Sequence, residues 1–156
     1  MMNSYLSSWM LNSTIWAAVF AWLLAQSVKM ALFYARTRKI NFAYLISTGG
    51  MPSAHSAMVS ALATSVALRA GMASPLFAVA LAFALMTMFD AQSVRRAAGM
   101  QARVLNTIVD EFFKTRRITE GKLSELLGHT RLEVFLGMMI GVFVAIIVHA
   151  AAMRLP

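Results

Sequence analysis

Four apolar segments in one short chain, approximately Leu11 to Phe33, Ser56 to Ala70, Pro75 to Phe89 and Leu132 to Met153, constrain the fold more than any other feature. A helix rises about 1.5 Å per residue, so segments of this order can cross a hydrocarbon core of roughly 30 Å. The second and third are short if read strictly and are expected to extend into their polar flanks or to tilt. With 60% hydrophobic and 13% charged residues over 156 positions, the chain is too apolar for an ordinary soluble domain. We expect an all-α, polytopic membrane bundle of about four transmembrane helices, forming a single domain over residues 1–156. Gly71 to Pro75 reads as a tight turn joining the second and third spans into a helical hairpin.

The remaining polar stretches sort by pattern. Ala97 to Phe113 carries Arg103, Asp110 and Glu111 among apolar residues at roughly helical spacing, which predicts an amphipathic helix lying at the membrane interface. Lys114 to Glu125 is polar and reads as an exposed connection. The first apolar run is long and lacks a basic flank before it, so a cleaved signal peptide is not expected. With no cysteine, the chain offers neither a disulfide framework nor a thiolate nucleophile or metal ligand. The net charge of +8 lies between the apolar spans, without an aromatic-interleaved or motif-bearing nucleic-acid module, so nucleic acid is not expected as a partner and anionic membrane lipid is.

Four spans put the termini on one side and two loops, Arg36 to Met51 and Asp90 to Arg131, on the other. Of the 14 Lys and Arg residues, all but Arg69 and Arg154 fall on the loop side. The excess survives discounting Lys29, Arg36, Arg95 and Arg96 as ligand-binding charge, so the positive-inside rule makes that face cytoplasmic.

The loop side also collects the residues able to do chemistry. Gly49-Gly50-Met51-Pro52-Ser53-Ala54-His55-Ser56 is a polar loop feeding a helix start, where glycines allow close backbone approach and the helix N-terminus favours an anion such as phosphate. Its plainer reading is a helix cap, with Pro52 in the first turn and Ser53 or Ser56 capping. Lys29 and Arg36, six residues intervening, lie two turns apart near one helix face and could reach one phosphate; snorkelling and charge anchoring are the alternative. Lys29 is harder to dismiss, because it follows Gln26 inside an apolar run. His129 and Glu133 are four apart, so on a helix the carboxylate can hold one ring nitrogen and leave the other free to attack phosphorus. A surface pair is the bland alternative, and a clustered metal-ligand signature is absent. Arg95-Arg96 follow Asp90 at the end of the third span, either as phosphate ligands or as a stop-transfer pair. His149 sits toward the opposite end of the fourth span and is read as marking the far interface.

Taken in order, Lys29 and Arg36, then Gly-Gly-Met-Pro-Ser-Ala-His-Ser, then Phe-Asp-Ala-x-x-Val-Arg-Arg, then Leu-Gly-His-Thr-x-x-Glu-Val, the set resembles the type-2 phosphatidic acid phosphatase superfamily, which includes vanadium haloperoxidases. It is most similar to the small divergent bacterial and plant branch. The resemblance covers residues 29 to 137. It implies His129 as a nucleophile forming a phosphohistidine, Glu133 as the group holding its ring, and His55 as general acid and then base. It further implies that Lys29, Arg36, Arg95 and Arg96 neutralise the transferring phosphoryl, assisted by Ser53 and nearby backbone N–H groups, with Asp90 and Gly50 in support. Neither a metal nor another cofactor is implied. Thr37 stands where the family has Pro, Ala54 where it has Gly, and Glu133 where it has Asp; Arg95 and Arg96 lie well upstream of His129, so an insertion must fold back to unite them.

The expected function is therefore an integral membrane phosphatase, of a bacterial inner membrane, that hydrolyses a lipid phosphomonoester or pyrophosphate. The alternative is a non-catalytic binder or transporter of a phosphorylated lipid or anion, and a third is a structural partner. Four spans have little bulk to enclose a site, which leaves room for a homodimer that completes it.

Overall fold

A computed structural model describes residues 12–39, 50–112 and 129–153, apart from the side chains at 94–96 and 110–112. The described residues are helical and contain no strand: α1 Ser13–Thr37, α2 Ala54–Ala70, α3 Pro75–Gln92, α4 Val94–Phe112 and α5 Arg131–Ala152. Local chemistry sets the boundaries. The Asn12 side chain accepts from the Thr14 N–H at 3.1 Å and caps α1, which ends at Arg38 in the left-handed region. Ser74 caps α3 and Pro75 occupies its first turn, where the missing N–H costs nothing. Gly71, at φ 82°, closes α2 and makes the expected hairpin turn, its carbonyl accepting from Ser74 N–H at 3.2 Å.

Three helical segments are long and apolar enough to cross a membrane: α1, α5 and the run from Pro75 to Val109 through α3 into α4. At 17 residues and about 25 Å, α2 is the short member of the expected four. Its place in the bundle explains its composition. It is the central helix, packed against α1, α3 and α5. A helix enclosed by its neighbours gains little from bulky apolar side chains and much from small ones that let backbones approach, because lipid tails are as apolar as leucine and packing must drive association. Accordingly Ala54, Ala57, Ala61, Ser53, Ser56 and Ser65 are all buried at 2% exposure or less.

The facing helices follow the same rule. On α1, Ala17, Ala21 and Ala25 repeat every four residues and are fully buried. On α5, Gly137 and Gly141 let the helix lie against the α2 backbone: a Cβ at Gly137 would fall on the Ser53 carbonyl oxygen, and one at Gly141 on that of Ala57. The large residues turn outward instead, as Val79, Phe83, Met86, Phe135, Phe143 and Ile146 do, each at least half exposed in the isolated chain. This is the inside-out distribution of a protein solvated by lipid.

Two expectations change in detail. The amphipathic helix begins at Val94, directly after α3, and not at Ala97; Ser93 alone separates them. Its apolar residues Met100, Val104, Leu105 and Ile108 are exposed, whereas Gly99 and the polar Asn106 are buried. His149 does more than mark an interface: its Nε2 shares a short hydrogen bond with the buried Ser65 hydroxyl, tying α5 to α2. Arg69 donates to the Ser13 hydroxyl at 3.4 Å at the same end of the bundle. The connection at 114–125 lies outside the described residues.

Candidate functional site

The C-terminal half of α1, the N-terminus of α2, the last turn of α3 and the N-terminus of α5 meet at one end of the bundle. Backbone hydrogen bonds register them: Ser53 N–H donates to the Glu133 carbonyl at 3.0 Å, and His129 N–H donates to the Ala91 carbonyl at 3.0 Å. The entrance of α5 is thereby clamped between α2 and α3, although it lies far downstream of that hairpin in the sequence.

A cavity of about 260 Å³ opens here, lined by Lys29, Leu32, Phe33 and Arg36 of α1, by Gly50 and Met51 of the following loop, and by Glu133 of α5. Lys29 is 3% exposed and its stem lies against Gly50, the nearest approach of a Cβ there being 3.7 Å; Arg36, two turns on, is exposed at the mouth. Gly50 has φ 89°, a conformation open to glycine and strained for other residues. The cavity thus has a buried cation at depth and a solvated one at its rim.

Thr130-x-x-Glu133 starts α5 with a reciprocal cap. The Thr130 hydroxyl accepts from Glu133 N–H at 3.3 Å, and Glu133 Oε2 accepts from Thr130 N–H at 2.9 Å. The same oxygen accepts from His129 Nδ1 at 3.1 Å. A carboxylate only accepts, so Nδ1 carries a proton, and in the neutral ring the lone pair is on Nε2. His129 is 3% exposed, and its Nε2 is buried without a hydrogen-bond partner. Burying such an atom unpaired costs about 1–3 kcal/mol, an expense that a packing residue has no reason to carry. Glu133 is therefore both a helix cap and the group that fixes the histidine tautomer. The Thr-x-x-Glu signal was legible in the sequence as a capping box; reading His129 and Glu133 only as a pair passes over it.

Other predicted residues fall differently. Ser53 is fully buried and does not line the cavity; it is the N-cap of α2, its hydroxyl accepting from Ser56 N–H at 3.3 Å and from the Ser56 hydroxyl at 3.0 Å. Pro52 precedes this cap and does not stand in the first turn, since the helix begins at Ala54. His55 is half-buried in that turn, and Asp90 is half-buried beside Ala91 at the end of α3. The Arg95 and Arg96 side chains lie outside the described residues, as do Gly49 and Gly128. The sequence reading missed Gly137 and Gly141, whose four-residue spacing in an apolar helix was the available signal.

Fold and site together define a class: a membrane-embedded all-helical bundle that gathers cations and a carboxylate-held histidine at one end. The chain belongs to the Divergent PAP2 family, whose sequence pattern matches residues 10–144. It is similar to the "Uncharacterized membrane protein YuiD" of Bacillus subtilis (strain 168), with 41% identity over 147 residues covering 87% of this chain and 93% of that one. No solved structure matches it.

Proposed function

We propose that this protein is a membrane phosphatase that hydrolyses a phosphomonoester or pyrophosphate on a lipid by way of a phosphohistidine at His129. The observation that carries the reading is the buried, unpaired Nε2 of His129, whose opposite nitrogen is held by a carboxylate lining a cavity that also contains Lys29 and Arg36. In the first half-reaction the Nε2 lone pair attacks phosphorus, the N–P bond forms, and the P–O bond to the lipid breaks. His55 gives the leaving oxygen its proton. Glu133 stabilises the charge that develops on the ring, while Lys29, Arg36 and the Arg95-Arg96 pair neutralise the equatorial oxygens. In the second half-reaction His55 takes a proton from water, the water oxygen attacks phosphorus, and the N–P bond breaks to release phosphate. The site face is cytoplasmic in this reading, on the basic-residue asymmetry, and the membrane is a bacterial inner membrane.

The test is phosphate release by the purified protein in detergent with chelator present, over phosphatidate, phosphatidylglycerol phosphate and polyprenyl phosphates and diphosphates. Release is expected from at least one of them, with acid-labile, base-stable phosphate trapped on the protein and lost in His129→Ala. A His129→Ala protein with full release would overturn the nucleophile. Binding without release from any lipid would favour a carrier.

A further inference from the structure

Among the described residues, two side-chain atoms are buried without a hydrogen-bond partner: His129 Nε2 and Gln26 Oε1. The first belongs to the chemistry above, and the second has no place in it. Gln26 is 5% exposed in the apolar stretch Trp22-Leu23-Leu24-Ala25-Gln26, where a leucine would fit the volume without stranding a polar group. The neighbouring Ser27 shows the ordinary solution for a polar residue here: its hydroxyl donates to the Leu23 carbonyl at 2.8 Å. A glutamine amide oxygen left unpaired at this depth costs about 1–3 kcal/mol.

Its position says which ligand. Gln26, Lys29 and Phe33 stand at i, i+3 and i+7, one stripe of α1, and the second and third of these line the cavity. Gln26 is one turn, about 4.5 Å of helical rise, further inward than Lys29. Rotation about the last side-chain bond exchanges the amide oxygen and nitrogen, so the same position can offer a donor to an anion.

We propose that Gln26 is a phosphoryl-binding residue, its amide N–H donating to an oxygen of the group held by Lys29 and Arg36. This rests on the phosphatase or phosphate-binding reading of the cavity. Gln26 supplies a hydrogen bond at the inner end without adding a second buried charge, which at this depth would need its own counter-ion.

The experiment uses the full chain in detergent and orthophosphate as the probe, with affinity and thermal midpoint measured for the unaltered protein, Gln26→Leu, Gln26→Met and Lys29→Ala. Leu and Met keep the volume and remove the hydrogen bond, so at least one is expected to fold with an equal or higher midpoint. The expected result is a loss of phosphate affinity of roughly 10-fold or more in both, the range of a hydrogen bond to a charged group. Phosphate binding as in the unaltered protein by Gln26→Leu or Gln26→Met, with Lys29→Ala impaired, would overturn the inference and leave the cavity's reading intact. No phosphate binding and no release from any lipid phosphate by the unaltered protein would overturn the reading, and this inference with it.

Discussion

Helix α5 carries one histidine at each end, and their surroundings are opposites. His149, near its C-terminus, has Nε2 engaged with the Ser65 hydroxyl of α2. His129, just before its N-terminus, has Nδ1 engaged with Glu133 and Nε2 buried with nothing to bond. The first joins two helices through a polar contact. The second is held as firmly but keeps a lone pair in reserve. A hydrogen bond is common to both; what sets His129 apart is that its ring is buried and its second nitrogen has no partner, whereas His149 is only half-buried.

The contrast can be broken most directly at His129. His129→Ala is expected to abolish lipid-phosphate release, by about 10⁴-fold or more as for other nucleophiles, with the thermal midpoint in detergent close to that of the unaltered protein. Substantial residual turnover would place the two histidines in the same category. Glu133→Gln keeps the cap geometry but weakens the hold on Nδ1 and removes the charge facing the developing imidazolium. Release should fall about 10²-fold in single-turnover measurements, with a smaller change in stability. Turnover unaffected by that change would reduce Glu133 to its capping role.

Gly141→Ala sharpens the comparison from the packing side. The added methyl meets the Ala57 carbonyl, which is backbone and cannot swing aside, so the α2–α5 contact should lose about 1–3 kcal/mol in a reversible unfolding assay. Because that contact also sets Ser53 against Glu133, activity should fall alongside stability. His149→Ala is the mildest: interhelical hydrogen bonds in membrane proteins average about 0.6 kcal/mol, so the midpoint should drop slightly while release per folded molecule is unchanged. A His149→Ala protein that is stable but inactive would show that the far histidine takes part in the chemistry after all.

Packing and chemistry also meet on α2. Sequence reading left Ser53 open between cap and phosphate ligand, and the fold assigns its hydroxyl to the cap while its N–H holds the α5 backbone. The cavity-facing part of that loop is instead Gly50 and Met51. Side chain and neighbour compete for the same few hydrogen bonds, and the fold decides the competition.

Much was nonetheless legible from the residues alone. Apolar runs set the helices, since a stretch that is apolar on nearly all sides has no stable place in water. Gly71 and Pro75 marked the hairpin turn through backbone conformations that the other residues disfavour or do not supply. The pairing of His129 with Glu133 was expected from helical periodicity, but His129 precedes the N-cap Thr130 and is reached by the capping-box carboxylate instead. All of these are local, carried by neighbours in the chain. Three matters were not: that α2 would sit at the centre, that Gly137 and Gly141 would seat α5 on its backbone, and that Gln26 Oε1 and His129 Nε2 would be buried without partners. Each depends on which helix faces which, and at what distance. A residue's own neighbours in sequence determine whether it is helical, but only the other helices determine whether its polar atom finds a bond.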